Sequence, residues 1–115
     1  MLHLTPEDLC AVYDLLRGTA PFKRWKLPPG EEVEFHAVKI THCQADSQRK
    51  GNRYVVRVAA NRHHTLASAT MTMAHEMIHL RLDIAFPRDR AHHGSRFHKH
   101  ADAVCKAHSF DRGQF

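Results

Sequence analysis

Residues 65–85, TLASATMTMAHEMIHLRLDIA, run without a glycine or a proline. Leu66, Met73, Met77, Leu80 and Ile84 recur at helical spacing, and Met71, Ile78 and Leu82 carry the apolar surface further around the cylinder. A helix apolar on most of its sides has to be buried, so the other elements of the chain must wrap around this one. Pro87 ends it.

The flanking segments supply candidates for that wrapping. Thr5, Pro6, Glu7 and Asp8 combine a capping hydroxyl, a proline at the first turn and acids beside the positive end of the helix dipole. Leu9, Val12, Tyr13 and Leu16 follow at helical spacing, which predicts a helix over about 6–17 with Gly18 as a left-handed stop. Pro21, Pro28, Pro29 and Gly30 make residues 18–30 a connection. Alternation predicts a strand from Val33 to Ile40 and another through Tyr54, Val56 and Val58, flanked by Arg53 and Arg57. Between them QADSQRKGN reads as turn material, with room for one short strand near Cys43. A last helix from about Ser95 to His108 turns Phe97, Ala101 and Val104 inward. The expected class is α+β: an N-terminal helix, a small and mainly antiparallel sheet, the central helix and a C-terminal helix.

At 115 residues, the chain has the length of one domain, 1–115, which buries about 65% of the surface its unfolded form exposes. Such a core needs neither disulfides nor a structural metal. Cys10, Cys43 and Cys105 are widely spaced and form no CxxC pair, so they read as small buried hydrophobes rather than a disulfide or zinc-ribbon framework. No apolar stretch approaches the ~20 residues that span a bilayer. MLHLTPEDLC lacks the charged-then-apolar layout of a signal peptide, and the expectation is a soluble, cytoplasmic protein with no membrane partner.

Charge is uneven. Residues 1–48 hold five Lys/Arg against seven Asp/Glu, and residues 49–115 hold twelve against five. The basic second half favours an acidic partner such as DNA, although surface lysines and arginines also serve solubility. In the connection, Phe22, Trp25 and Leu27 interleave with Lys23, Arg24 and Lys26. Such rings either stack on nucleic acid or pin the loop to the core.

The chemistry concentrates on twelve histidines, two of them inside the central helix. His75-Glu76-Met77-Ile78-His79 has the pattern H-E-x-x-H. Residues four apart on a helix lie one above the other, so His75 and His79 offer two imidazoles to one ion. Glu76, about 100° around the helix, can lean over the same ion and accept a proton from water. Three unpartnered polar side chains on so apolar a helix would cost several kcal/mol in desolvation, about 2–7 for each such group, and a metal removes that penalty. A catalytic zinc takes three protein ligands and leaves one position for solvent. Among His92, His93, His98, His100 and His108, His93 is favoured because Gly94 lets backbone come close to the ion and residues 80–92 are long enough to turn back over the helix. His92 is its main rival, and His98 or His100 can serve in an outer position. Tyr13, Tyr54 and the unassigned histidines are candidates to stabilise an oxyanion.

HEMIH followed, after thirteen intervening residues, by His93-Gly94-Ser95-Arg96-Phe97 resembles the SprT-like (Spartan-type) metalloprotease family, whose signature is H-E-x-x-H, a short loop, then H-G-x-x-F. RYVVRVAAN, ending at Asn61, is similar to that family's strand-to-helix entry. The resemblance spans about residues 5–108, with its specific part in 54–97. It implies a minimal zincin-like domain with Zn²⁺ held by His75, His79 and His93, Glu76 as general base, and Phe97 packed under the site. It also implies hydrolysis of protein or peptide substrates, in some members proteins trapped on DNA. Two other readings stand beside it. One is a non-catalytic, zinc-stabilised nucleic-acid-binding module with a fourth protein ligand such as His92 or His98. The other is a deformylase, which pairs HExxH with a Gly-Cys-Leu cysteine; Thr41-His42-Cys43-Gln44 does not match that setting.

Overall fold

The structure is a computed structural model that describes residues 3–39, 45–59 and 65–115. Helix α1 (Pro6–Arg17) leads through short 3₁₀ turns to strand β1 (Val33–Val38), then β2 (Ala45–Lys50) and β3 (Arg53–Ala59), helix α2 (Leu66–Ala85) and helix α3 (Ser95–His108). The expected class, α+β with three helices and a small sheet, is the one observed. Ile40, Cys43 and Asn61 lie outside the described residues.

Local chemistry sets the helix starts. Thr5 and Asp8 form a reciprocal capping box on α1, each side chain bonded to the other's backbone N–H at 3.1 and 3.0 Å. Thr65 caps α2 by accepting the Ser68 N–H. Gly18 departs from expectation. It is right-handed, at φ −81 and ψ −4, because its N–H reaches the last-turn carbonyls of α1 directly and no left-handed reversal is needed.

The sheet order is β1-β3-β2, with β1 parallel and β2 antiparallel to β3. This mixed sheet replaces the mainly antiparallel one expected. The chain enters β2 on the far side of β3 and returns by a tight hairpin at Gly51 (φ +63), so β3 becomes the middle strand and runs the same way as β1. The segment read as turn material is therefore mostly strand. ADSQRK carries no apolar alternation because β2 is an edge, held by its backbone ladder to β3, and charges on an edge discourage unwanted pairing.

Helix α2 is the hub. It packs against α1, α3, β2 and β3. Met73, Met77, Ile78 and Leu80 are buried along it, whereas Leu66 and Ile84, expected in the stripe, are 58% and 38% exposed where the helix outruns its neighbours. Phe22, Trp25 and Leu27 are buried in the same core as Leu9, Tyr13 and Leu16 of α1. The aromatics of the connection thus pin it down, and their rings do not form a stacking platform for nucleic acid. No helix among the described residues is long and apolar enough to cross a membrane. Cys10 is half-buried and Cys105 buried, both as free thiols.

Candidate metal centre

His75 and His79 project one turn apart from α2, and the bend between α2 and α3 returns His93 to them. The Nε2 of His75 lies 3.3 Å from Nε2 of His79 and 3.4 Å from Nε2 of His93. One ligand atom from each of the three falls within 4.8 Å of the others. Two nitrogens bound at ~2.05 Å to one tetrahedral ion stand about 3.3 Å apart, so the spacings from His75 to His79 and to His93 match those of two donors on one ion such as zinc. The three histidines can therefore hold a metal ion. Among the described residues no other His, Cys, Asp or Glu joins the group.

Phe97 forms the floor. Its ring stacks on His79 at 4.9 Å and 26°, and meets His75 at 4.9 Å and His93 at 4.6 Å. It is 3% exposed and comes from the first turn of α3, three residues after Gly94. The expected placement of Phe97 beneath the three imidazoles is observed. Gly94 acts differently from expectation. A Cβ there would stand 2.9 Å from the Ala91 Cβ, so the glycine allows the bend to close on itself, and its backbone is not left-handed.

Burial depresses proton affinity at the two imidazoles of α2. His79 is pushed down to about 3, first by burial and then by the neighbouring His75, His93 and His92. His75 is lowered by burial, which outweighs a hydrogen bond from its ring to the Phe115 carbonyl. Neutral imidazoles are the metal-binding form.

Glu76 is the one buried charged side chain among the described residues, at 5% exposed. Its carboxyl is raised from 4.5 to about 7, chiefly by burial and in smaller part by Asp46, against the lowering effect of a hydrogen bond with the Ser47 side chain. The sheet register explains that bond. Ser47 pairs with Val56, and Phe35 pairs with Val56 from the other side, so Ser47 sits on the core face of the sheet, toward α2. Asp46, one residue earlier, alternates to the opposite face, where the Arg57 guanidinium grips it through Nε at 2.8 Å and through Nη2. Ser47 was not legible as a site residue from sequence, because nothing marks a serine in a polar edge strand.

Glu76, His75, His79 and His93 line one cleft of about 1000 Å³ together with Asp46 and Ser47 of β2, Asp83, His92, Gln114 and Phe115. His92, the rival third ligand, stands at the rim, with its ring 6.4 Å from that of His79. His98, His100 and His108 are elsewhere: on Arg112, on Trp25 and the Arg96 carbonyl, and on Thr19. Neither tyrosine borders the cleft. Tyr13 is fully buried and donates to the Pro28 carbonyl at 2.6 Å, and Tyr54 lies under the Arg49 guanidinium. The tyrosines proposed as oxyanion stabilisers thus have no access to it. Compared with protein-family models and with curated proteins, the chain matches none.

Proposed function

We propose that the chain is a zinc-dependent peptidase of the SprT-like, zincin-like kind, with His75, His79 and His93 as ligands and Glu76 as general base. The observation that carries this reading is the convergence of three imidazoles, with His75 Nε2 3.3 and 3.4 Å from the Nε2 atoms of His79 and His93, beside a buried glutamate in an open cleft. A closed structural zinc needs four protein ligands, and only three donors gather among the described residues. That favours the catalytic reading over the zinc-stabilised binding module.

Zinc in this position would act as a Lewis acid, lowering the pKa of water toward ~7 and polarising a carbonyl. Everything else falls to the chain itself. Glu76, in its desolvated niche, takes a proton from the attacking water and returns it to the leaving amine. Glu76 would be kept ionised and ready to accept if a divalent cation were held by the neighbouring histidines, since a nearby positive charge favours the carboxylate. Ser47 holds the carboxyl from the strand side. Among the described residues β2 pairs with β3 along one side only, so its other side, next to the cleft that Asp46 and Ser47 line, can take an extended peptide as an added strand. Backbone hydrogen bonds would then position the substrate with little demand on its sequence.

The test compares wild type with Glu76→Gln, both zinc-loaded, on an unstructured protein with and without single-stranded DNA. Cleavage by wild type and its loss in the variant are expected, and equal turnover by the two removes Glu76 as base. The DNA arm asks whether the basic excess of residues 49–115 brings substrate to the site.

A further inference from the structure

We propose that residues 109–115 form a strap whose Phe115 carbonyl fixes the tautomer and orientation of His75, with Arg112 as its anchor. This rests on the metal-site reading above and adds positioning residues to it. After α3 the chain reverses at Ser109, which is left-handed at φ 58 and ψ 35, and the Phe110 N–H closes the turn on the Cys105 carbonyl at 3.1 Å. The strap then runs back toward the cleft. Asp111 shapes it by accepting the Gly113 N–H on its side chain at 2.9 Å and the Gln114 N–H on its carbonyl at 3.1 Å.

Two sets of contacts hold the strap down. Arg112 donates from Nε to Asp102 Oδ1 and from Nη2 to His98 Nδ1, both at 2.7 Å, and so clips the strap to two residues one turn apart on α3. A guanidinium only donates, so His98 accepts with an unprotonated Nδ1. The Phe110 ring lies between His108, at 5.4 Å and 17°, and Phe115, at 6.1 Å and 18°.

The consequence reaches the metal centre. The Phe115 carbonyl is 3.0 Å from His75 Nδ1, and the Phe115 ring packs 5.3 Å from the His75 ring. This main-chain oxygen, as a carbonyl or as part of an ionised α-carboxylate, only accepts, so His75 carries its proton on Nδ1 and turns its Nε2 lone pair toward His79 and His93. Among the described residues neither His79 nor His93 has a comparable bond at Nδ1, so the strap sets the ligand whose Nε2 lies 3.3 and 3.4 Å from those of the other two. Outer partners of this type fix ring orientation and raise ligand basicity.

The experiment reads two quantities on the full chain. Long-range ¹H–¹⁵N spectra of the metal-free protein give the His75 tautomer, and chelator competition gives zinc affinity, with circular dichroism reporting folding. Wild type is expected to show His75 protonated on Nδ1. In Arg112→Ala, and in a variant lacking Gln114 and Phe115, the Nε2-protonated form should appear and zinc affinity should fall by about tenfold. Arg112→Lys should recover part of both. Wild-type His75 protonated on Nε2 overturns the inference whatever the variants do, and so does an unchanged tautomer with unchanged affinity in a folded Arg112→Ala protein. A wild type with no zinc affinity would instead defeat the metal-site reading, and the metal-free tautomer would still judge the strap.

Discussion

Replacing Glu76 by glutamine should stabilise the metal-free protein, and the gain should grow with pH. The side chain is 5% exposed, and burial lifts its carboxyl from 4.5 to about 7. A carboxyl whose folded pKa exceeds its unfolded value stabilises the fold fully below the unfolded value, and this contribution is lost as pH rises through the folded value. The window here runs from 4.5 to about 7. Above it, the ionised wild-type side chain leaves the fold ~3 kcal/mol less stable than the protonated one does. Glutamine keeps the shape, stays neutral at every pH and retains an oxygen for the Ser47 hydroxyl, so it mimics the protonated form throughout. In urea titrations the two proteins should be close at about pH 4.5, while at about pH 8 the variant should be more stable by ~3 kcal/mol, or more than ~10 °C in Tm. Other ionisable groups cancel in the difference. With zinc bound the gap should narrow, because the cation stabilises the carboxylate. A gap of the same size at both pH values would refute the view that Glu76 is held in a desolvated niche.

Three further outcomes follow from the same geometry. His93→Ala should cost more than the ~10–100-fold in zinc affinity that loss of an outer partner costs, while the metal-free stability, measured by urea unfolding, should change by no more than ~0.5 kcal/mol because His93 is exposed. Phe97→Ala removes the floor under all three imidazoles and should cost ~3–5 kcal/mol in guanidinium denaturation together with zinc affinity. For His79 the sign is opposite to that for Glu76: its folded pKa is lowered from 6.5 to about 3, so its contribution is present above 6.5 and lost as pH falls toward 3. Metal-free wild type should therefore lose more stability on acidification through that window than His79→Gln does, and parallel pH profiles of the two would contradict it.

What could be read from sequence was whatever side chains advertise. The helices were legible because caps and breakers mark their ends: the Thr5–Asp8 pair, the run from 65 to 85 without glycine or proline, and Pro87. The three histidines were legible because one turn of helix and the thirteen residues from 80 to 92 that carry the chain back to His93 are short-range geometry. β2 was not, since an edge strand is specified by a neighbour's backbone and ADSQRK has no periodicity to show. Ser47 was hidden with it. The strap was missed as well, although Phe110 and Phe115 flanking a polar turn beyond an amphipathic helix are the kind of apolar anchors that mark a segment folding back.

The donors at the metal centre have unequal backing. His75 and His79 ride on α2, the helix that every layer of the fold leans on, whereas His93 hangs from an exposed bend. The grip therefore has a fixed jaw and a hinged one. Were an ion held there, it would be expected to shed the hinged jaw first, so its residence time would follow how often that corner of the chain lifts more than the strength of the hydrophobic interior.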